Sequence, residues 1–387
     1  MNHTIHYTAV IVGGGPSGSA CAIRLAQSNI NCCIVDKAKF PRNKLCAGLT
    51  TEKTRRLLFQ LLKDRSPEDI LSAINRNTVH GIKLFQGYEE FADQPFSKEW
   101  VLVNRRDYDN LLVDHFRNDL GGDVYDGISI KKYDLAQHQL LLDDGTILSY
   151  DYLIAADGAA GHLATLCGCA IAPEKKAFCL EINVNSGDFD YENDKVGIYF
   201  NVLKGGYVWV FPKGDTVCLG LGCLYDHKTD YKKVFQDFLT ETGLRNPENY
   251  PLSGAFLPYG TCNPRPFSDE FNVLFVGDSA GYADPITGEG LYLAFQSGIN
   301  AADSLAEGLG NGKTFEQVAA DYTRSMKPFA RIIKKGALMQ KLLYTKPILF
   351  SVRTAVKIMP KLVTRYCDKM ISQYDYDYLF LIEMLFH

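Results

Sequence analysis

Gly13, Gly15 and Gly18 stand in the spacing G-x-G-x-x-G, with Pro16 and Ser17 inside it and Asp36 following 23 residues after Gly13. Glycines so placed let a chain turn tightly off a strand, bring its backbone against a pyrophosphate and pack a helix close to that strand. The unpaired N–H groups and partial positive charge of the helix N-terminus then face the phosphates. A carboxylate at Asp36 accepts hydrogen bonds from an adenosine ribose. Apolar runs at 9–12 and 32–35 complete a βαβ unit. The pattern points to a bound dinucleotide and does not by itself separate NAD from FAD. The competing reading is a glycine-rich turn in an unrelated α/β protein.

Further groups bear on the same site. Lys37, Arg42 and Lys44 place cations just beyond the second apolar run, where a pyrophosphate would be neutralised. Cys46, Ala47 and Gly48 are small enough for a backbone passing close to a flat ligand; a solvated loop with a buried thiol explains them equally well. Arg105 opens a helix from which it would reach a ligand phosphate, or it is a surface arginine. Asp157, followed by Gly158, ends a fully apolar strand, as expected of a buried parallel strand with a turn at its carboxyl end. Gly277 and Asp278 end another, and Asp278 is placed to bond a ribityl hydroxyl. Pro285, Gly288 and Gly290 lie in the loop leading to a helix over about 289–308. That helix N-terminus would favour negative charge on the pyrimidine end of a flavin. Tyr207, Trp209 and Phe211 share one face of a strand, either as core against a helix or as the wall of an apolar substrate pocket. Gly277 to Gly281 also fits G-x-S-x-G, the strand–turn of a hydrolase nucleophile at Ser279. Its triad would need a later histidine, and only His387 follows.

The elements that must position these residues follow from periodicity and turn signals. Residues 51–75 read as helical, 78–102 as short strands around a polar loop, 105–120 as a helix and 124–154 as a three-strand meander with a hairpin at Asp143-Asp144-Gly145. Residues 178–224 read as a second sheet, 231–243 as a helix and 314–387 as mostly helical. The expected fold class is α/β: a three-layer, Rossmann-like nucleotide-binding domain with a parallel sheet plus a β-meander, an α+β substrate domain with an antiparallel sheet, and a helical C-terminal region. The first is expected from 1–75, 103–175 and 265–312, the second from 76–102 and 176–264, the third from 313–387. Two or three units suit 387 residues at about 150 residues per domain.

Composition narrows the function classes. A net charge of −4 and the lack of an aromatic-plus-basic run argue against nucleic acid as partner. Eleven cysteines without metal-ligand spacing give no metal site and fit the reduced thiols of a cytoplasmic protein. No signal peptide is expected, and no apolar run reaches the roughly 18 residues of a membrane span. Residues 331–365 hold nine Lys/Arg and no acid. With Leu, Ile and Phe between the charges, this stretch either lies on an anionic membrane surface or packs as a solvated face on an acidic body.

The glycine pattern with Asp36, then Asp157-Gly158, then Gly277-Asp278, resembles in its order the glutathione-reductase-type FAD proteins of the aromatic hydroxylase class. The loop FPRNKLCAGLT at 40–50 and the strand GYVWVFPKG at 206–214 are similar to the P-x-x-K-x-C-G-G-G and Y-x-W-x-F-P-K-G patterns of the geranylgeranyl reductase family. The second is matched at Tyr207, Trp209, Phe211, Pro212, Lys213 and Gly214. The first is matched at Pro41, Lys44, Cys46 and Gly48, with Ala47 in place of a glycine. The likeness spans roughly residues 5–310. It implies FAD, with Gly13, Gly15, Gly18, Asp36 and Arg105 on the ADP part, Cys46, Ala47 and Gly48 near the isoalloxazine, and Asp278 at the ribityl and pyrophosphate region. It places Tyr207, Trp209, Phe211 and Pro212 along a lipid. The implied reaction is saturation of C=C bonds in a geranylgeranyl-type prenyl chain by hydride from flavin N5, with Cys46 as proton donor or as a spacer that shapes the pocket. NAD(P)H or another donor would reduce the flavin; the segment after Gly158, Ala159-Ala160-Gly161-His162, lacks the Ser and Arg often found there. The competing readings are an FAD monooxygenase or halogenase acting on an aromatic or polyketide substrate, and a non-catalytic lipid-binding flavoprotein. The expected partner is a prenyl lipid or another hydrophobic small molecule, met in the cytoplasm or at the inner face of the membrane.

Overall fold

The computed structural model describes residues 4–343 and 353–372. Two eight-stranded sheets organise them. The first grows from the Thr4–Val12 strand, which pairs in parallel with Cys32–Asp36 on one side and Ile147–Ala155 on the other. Val273–Phe275 continues it beyond Ile147–Ala155, and Asp123–Asp126 beyond Cys32–Asp36, both in parallel. Parallel strands covered on both faces read as continuous apolar runs, and Val10, Ile11, Ile34, Leu153, Ile154 and Leu274 are fully buried. The Pro16–Gln27 and Leu291–Gly310 helices cross closely over this sheet. Glycine permits that approach: a Cβ on Gly298 would fall 2.2 Å from the Ser17 carbonyl oxygen.

The stretch expected as a three-strand meander holds four strands. Ile130–Asp134, Gln139–Leu142 and Ile147–Ala155 form the antiparallel meander. Asp123–Asp126 instead joins the parallel sheet, because it follows a helix, and a crossover returns the chain in parallel. That helix runs Arg105–Asp114 and continues as a π-helical turn over His115–Asp119.

The second sheet runs Ser253–Pro258, Lys176–Asn185, Thr216–Leu224, Gly206–Pro212, Lys195–Phe200, Asn75–Gln86, Glu89–Val103 and Leu49–Thr50. Its pairings are antiparallel except that of Lys195–Phe200 with Asn75–Gln86. The polar stretch expected as a loop within 78–102 is part of a long hairpin turned at Gly87, whose φ is +60°. Its polar residues mark the solvent face of a strand pair. Farther along the sheet the Tyr231–Glu241 helix packs Phe235 and Phe238 against Val208, Val210 and Leu219.

The described C-terminal part comprises the Phe315–Leu343 helix, with Pro328 inside it, a helix at 353–358 and the Lys361–Ser372 helix. Val356, Val363 and Cys367 join Trp100 and Trp209 in the core of the second sheet. Among the described residues no helix is long and apolar enough to cross a membrane.

Candidate active site

A cavity of about 710 Å³ opens at the carboxyl ends of the first sheet's parallel strands, between Val12, Val35 and Ala156, where open α/β sheets take ligands. Gly13 has φ +106°, and a Cβ on it would sit 2.3 Å from the Ala156 carbonyl oxygen. A Cβ on Gly18 would lie 1.9 Å from the Gly13 oxygen. These two glycines close strand onto helix, while Gly15, Pro16 and Ser17 form the cavity wall. Asp36 Oδ2 accepts from Gly14 N at 2.9 Å and Oδ1 from Ala38 N at 2.9 Å. Each oxygen retains capacity for a further donor. Lys37, Arg42, Lys44, Cys46, Arg105, Asp157, Asp278, Gly288 and Gly290 line the same space.

Arg105, Arg42 and Lys44 are already partnered. Arg105 Nε and Nη2 donate to Asp109 Oδ1 and Oδ2 at 2.7 and 2.8 Å, with both side chains buried. Burial opposes the guanidinium charge, but Asp109 outweighs it and holds the Arg105 pKa above its ordinary value. Arg42 lies 3.3 Å from Asp109 and 3.6 Å from Asp36, and Lys44 3.9 Å from Asp278. Arg105 is therefore a clamp on its own helix as well as a cavity residue, and Asp109, absent from the sequence reading, balances two cations.

Asp157 Oδ2 accepts from Leu163 N at 3.0 Å, while its buried Oδ1 has no hydrogen-bond partner among the described residues. Burial raises its carboxyl above the usual range. Close glycine backbone, balanced cations and an open acceptor together fit a dinucleotide of the size of FAD.

A second cavity of about 220 Å³ adjoins the first. Lys44, Leu45, Cys46, Leu257, Asp278 and Gly288 line both. Tyr207, Trp209 and Phe211 form one of its walls together, as their alternation predicts. Trp209 is opposite Gly220 and Tyr207 opposite Gly222 in the neighbouring strand. A Cβ on Gly220 would lie 2.2 Å from Trp209 Cζ2, so the missing side chain makes room for the indole. The Tyr207 hydroxyl donates to the Thr287 carbonyl and ties this strand to the loop before the Leu291–Gly310 helix. Ala47 and Gly48 line this smaller cavity and not the larger one. Cys46 faces both, its Sγ accepting from Gly48 N at 3.4 Å.

Four expected site residues lie off both walls. Gly18 does so by its packing on Gly13. Gly277, at φ +60°, packs on Ser17. The Pro285 carbonyl accepts from Gln340, beside Gly260. Pro212 is one residue out of phase with Phe211, so it faces the other side of the sheet, and its carbonyl accepts from Asn77 Nδ2 at 2.8 Å. The hydrolase reading fails at Ser279: its buried hydroxyl donates to the Val276 carbonyl at 2.8 Å and to that of Ala155. His387 lies outside the described residues.

The sequence reading missed buried charges. Glu289 lines the apolar cavity, with Lys53 Nζ 3.4 Å from its Oε2. The signals were an acid between Gly288 and Gly290, and a lysine on a helical stretch that reads as largely polar. Glu181 and Lys213 are also buried, and the Cys46 backbone N–H bonds the Glu181 carboxylate.

Residues 6–336 match the family model described as FAD binding domain. The chain is 30% identical over 315 residues to an uncharacterized protein of Methanosarcina barkeri, covering 79% of this chain and 76% of that one. It is 25% identical over 336 residues to the digeranylgeranylglycerophospholipid reductase of Methanospirillum hungatei, covering 83% and 81%. With the chloroplastic geranylgeranyl diphosphate reductase of Arabidopsis thaliana it shares 27% over 329 residues, covering 78% and 66%. Among solved structures, a geranylgeranyl bacteriochlorophyll reductase-like protein of Thermoplasma acidophilum superposes with a TM-score of 0.77 at 19% identity, over 98% of this chain and 100% of that one. The halogenase PltM superposes with a TM-score of 0.68 at 16% identity, over 94% and 82%. At these identities the two structures establish the fold.

Proposed function

The chain belongs to the FAD-binding domain family and is an FAD-dependent oxidoreductase similar to geranylgeranyl reductases, and we propose that it saturates C=C bonds of a prenyl lipid chain. The observation that carries this reading is the shared wall: an aromatic, apolar cavity meets the dinucleotide cavity along Lys44, Leu45, Cys46, Asp278 and Gly288. When bound and reduced, FAD supplies a hydride from N5. In this reading Gly13, Gly15, Pro16, Ser17 and Asp36 hold the ADP part. Asp157, Asp278, Gly288 and Gly290 hold the ribityl and ring end. An isolated alkene offers no polar handle, so its placement and the exclusion of water must come from the shape of the pocket. Tyr207, Trp209 and Phe211 provide both. The names of the two reductase relatives support a geranylgeranyl-type chain as substrate, with NAD(P)H or another donor as reductant. The basic stretch 331–365 presents exposed Leu338 and Ile358 among its cations, and in this reading it rests on an anionic lipid surface.

The test is anaerobic. The flavoprotein is reduced with dithionite and mixed with a geranylgeranyl lipid. Reoxidation of the flavin with gain of two hydrogens per reduced bond is the expected result. A flavin that stays reduced until air is admitted, and then gives an oxygenated or halogenated aromatic product, would overturn the reading. A flavoprotein that binds the lipid but never turns over is the non-catalytic alternative.

A further inference from the structure

We propose that Glu289, supplied by Lys53, delivers the proton that completes reduction of the alkene; the proposal rests on the prenyl-reductase reading. Glu289 lies between Gly288 and Gly290, which line both cavities, and itself lines only the apolar one. It thus sits beside the junction, on the substrate side. Its Oε1 accepts from Tyr292 N at 2.8 Å, which fixes the carboxylate. Its Oε2 is buried and among the described residues makes no hydrogen bond; Lys53 Nζ stands 3.4 Å away. The ammonium lies 5.0 Å over the Tyr292 ring, and the two side chains are only 6% and 11% exposed. A charge pair so largely buried is costly to desolvate and is weak evidence for stability alone. Lys44 and Asp278 stand where this wall joins the larger cavity, whereas the Glu289–Lys53 pair puts a proton source on the substrate side alone.

The chemistry balances with the reduced flavin as the two-electron donor. The alkene π bond breaks and two C–H bonds form. The hydride brings both electrons to one carbon. A proton passes from Lys53 Nζ through Glu289 Oε2 to the other carbon, leaving an amine beside a carboxylate, and Lys53 regains its proton from water. Cys46 is the competing donor. Its sulfur accepts from the Gly48 N–H and bonds the buried Arg105 guanidinium, so it already faces two donors. Glu289 is the catalytic residue here, and Lys53 the residue that charges and positions it.

Glu289→Gln tests this directly, since an amide oxygen keeps the bond from Tyr292 N and loses the acid. Two readouts are needed. Binding of a fully saturated prenyl lipid, followed by tryptophan fluorescence, is expected to stay within twofold of wild type. Anaerobic single-turnover reoxidation by the unsaturated lipid is expected to slow by about 10²-fold or more, the scale of a lost general acid. Glu289→Asp is expected to recover part of the rate, and Lys53→Met to lose it while flavin content is retained. Glu289→Gln reoxidised as fast as a competent wild type would overturn the assignment alone. So would Cys46→Ala slowing the step by the same factor while Glu289→Gln does not. A wild type that alkene never reoxidises would take down the prenyl reading, and the assignment with it.

Discussion

Arg105 and Asp109 sit one turn apart on a single helix, both out of reach of solvent, joined by two hydrogen bonds of 2.7 and 2.8 Å. Breaking a buried pair by removing one partner leaves an uncompensated charge, which costs about 3–5 kcal/mol. Arg42 remains 3.3 Å from Asp109, so Arg105→Leu is expected near the lower end, about 3 kcal/mol. The double variant Arg105→Leu/Asp109→Leu should lose less than Arg105→Leu alone; urea denaturation of the full cycle measures the difference, and additive losses would refute the coupling. Glu181 gives a prediction in pH. Its carboxyl is raised above the ordinary 4.5, first by burial, against the pull of Lys213. A raised folded pKa contributes stability that is complete below the unfolded value and is lost as pH climbs through the folded one. Glu181→Gln should therefore gain on wild type as pH rises from about 4.5; a stability difference that does not change with pH would contradict it. These buried charges were the least legible part of the site. Asp36, Arg42 and Lys44 stood out because a motif framed them. Asp109, Lys53 and Glu181 look in sequence like the solvated charges of any helix or strand, and only long-range packing takes them out of water.

The elements were legible where one periodicity ruled. The βαβ unit at the start and the alternation of Tyr207, Trp209 and Phe211 are local patterns, and both appear as expected. The strand at Asp123–Asp126 and the hairpin of Asn75–Gln86 with Glu89–Val103 were blurred because their partners lie far off in sequence, and a half-exposed strand carries as many polar residues as a loop. What alternation could not reveal is the width of the pocket. That is set across the strand pair, where Gly220 leaves the space that Trp209 fills. Gly220→Ala should displace the indole, cost about 1–3 kcal/mol as an overpacking change and weaken binding of a saturated prenyl lipid. A variant with unchanged Tm and lipid affinity would show that the strand yields instead. At the other sheet, Gly13→Ala meets both a +106° φ and a carbonyl at 2.3 Å. It should purify with little or no flavin absorbance.

At the scale of the molecule, the cations at 331–365 divide. Arg353 is paired with Glu89 and reaches Gln86, while Arg331, Lys334, Lys341, Lys361 and Arg365 are exposed. Exposed cations beside exposed Leu338 and Ile358 should make the protein co-sediment with anionic vesicles at low salt and release it at high salt, as the screening length shortens. Equal recovery with neutral vesicles would oppose this.

The larger cavity draws its walls from residues near 12–17 and again from residues near 288–294. These two parts of its wall are thus separated by most of the chain. During synthesis the N-terminal βαβ unit leaves the ribosome early, yet the surface that would close over a ligand has not been made. Domains fold as units as they emerge, but this one has to wait for its last segment. Nascent chains arrested before about residue 288 should therefore be colourless however much flavin the cell contains, and those released after the Leu291–Gly310 helix should be the first to turn yellow.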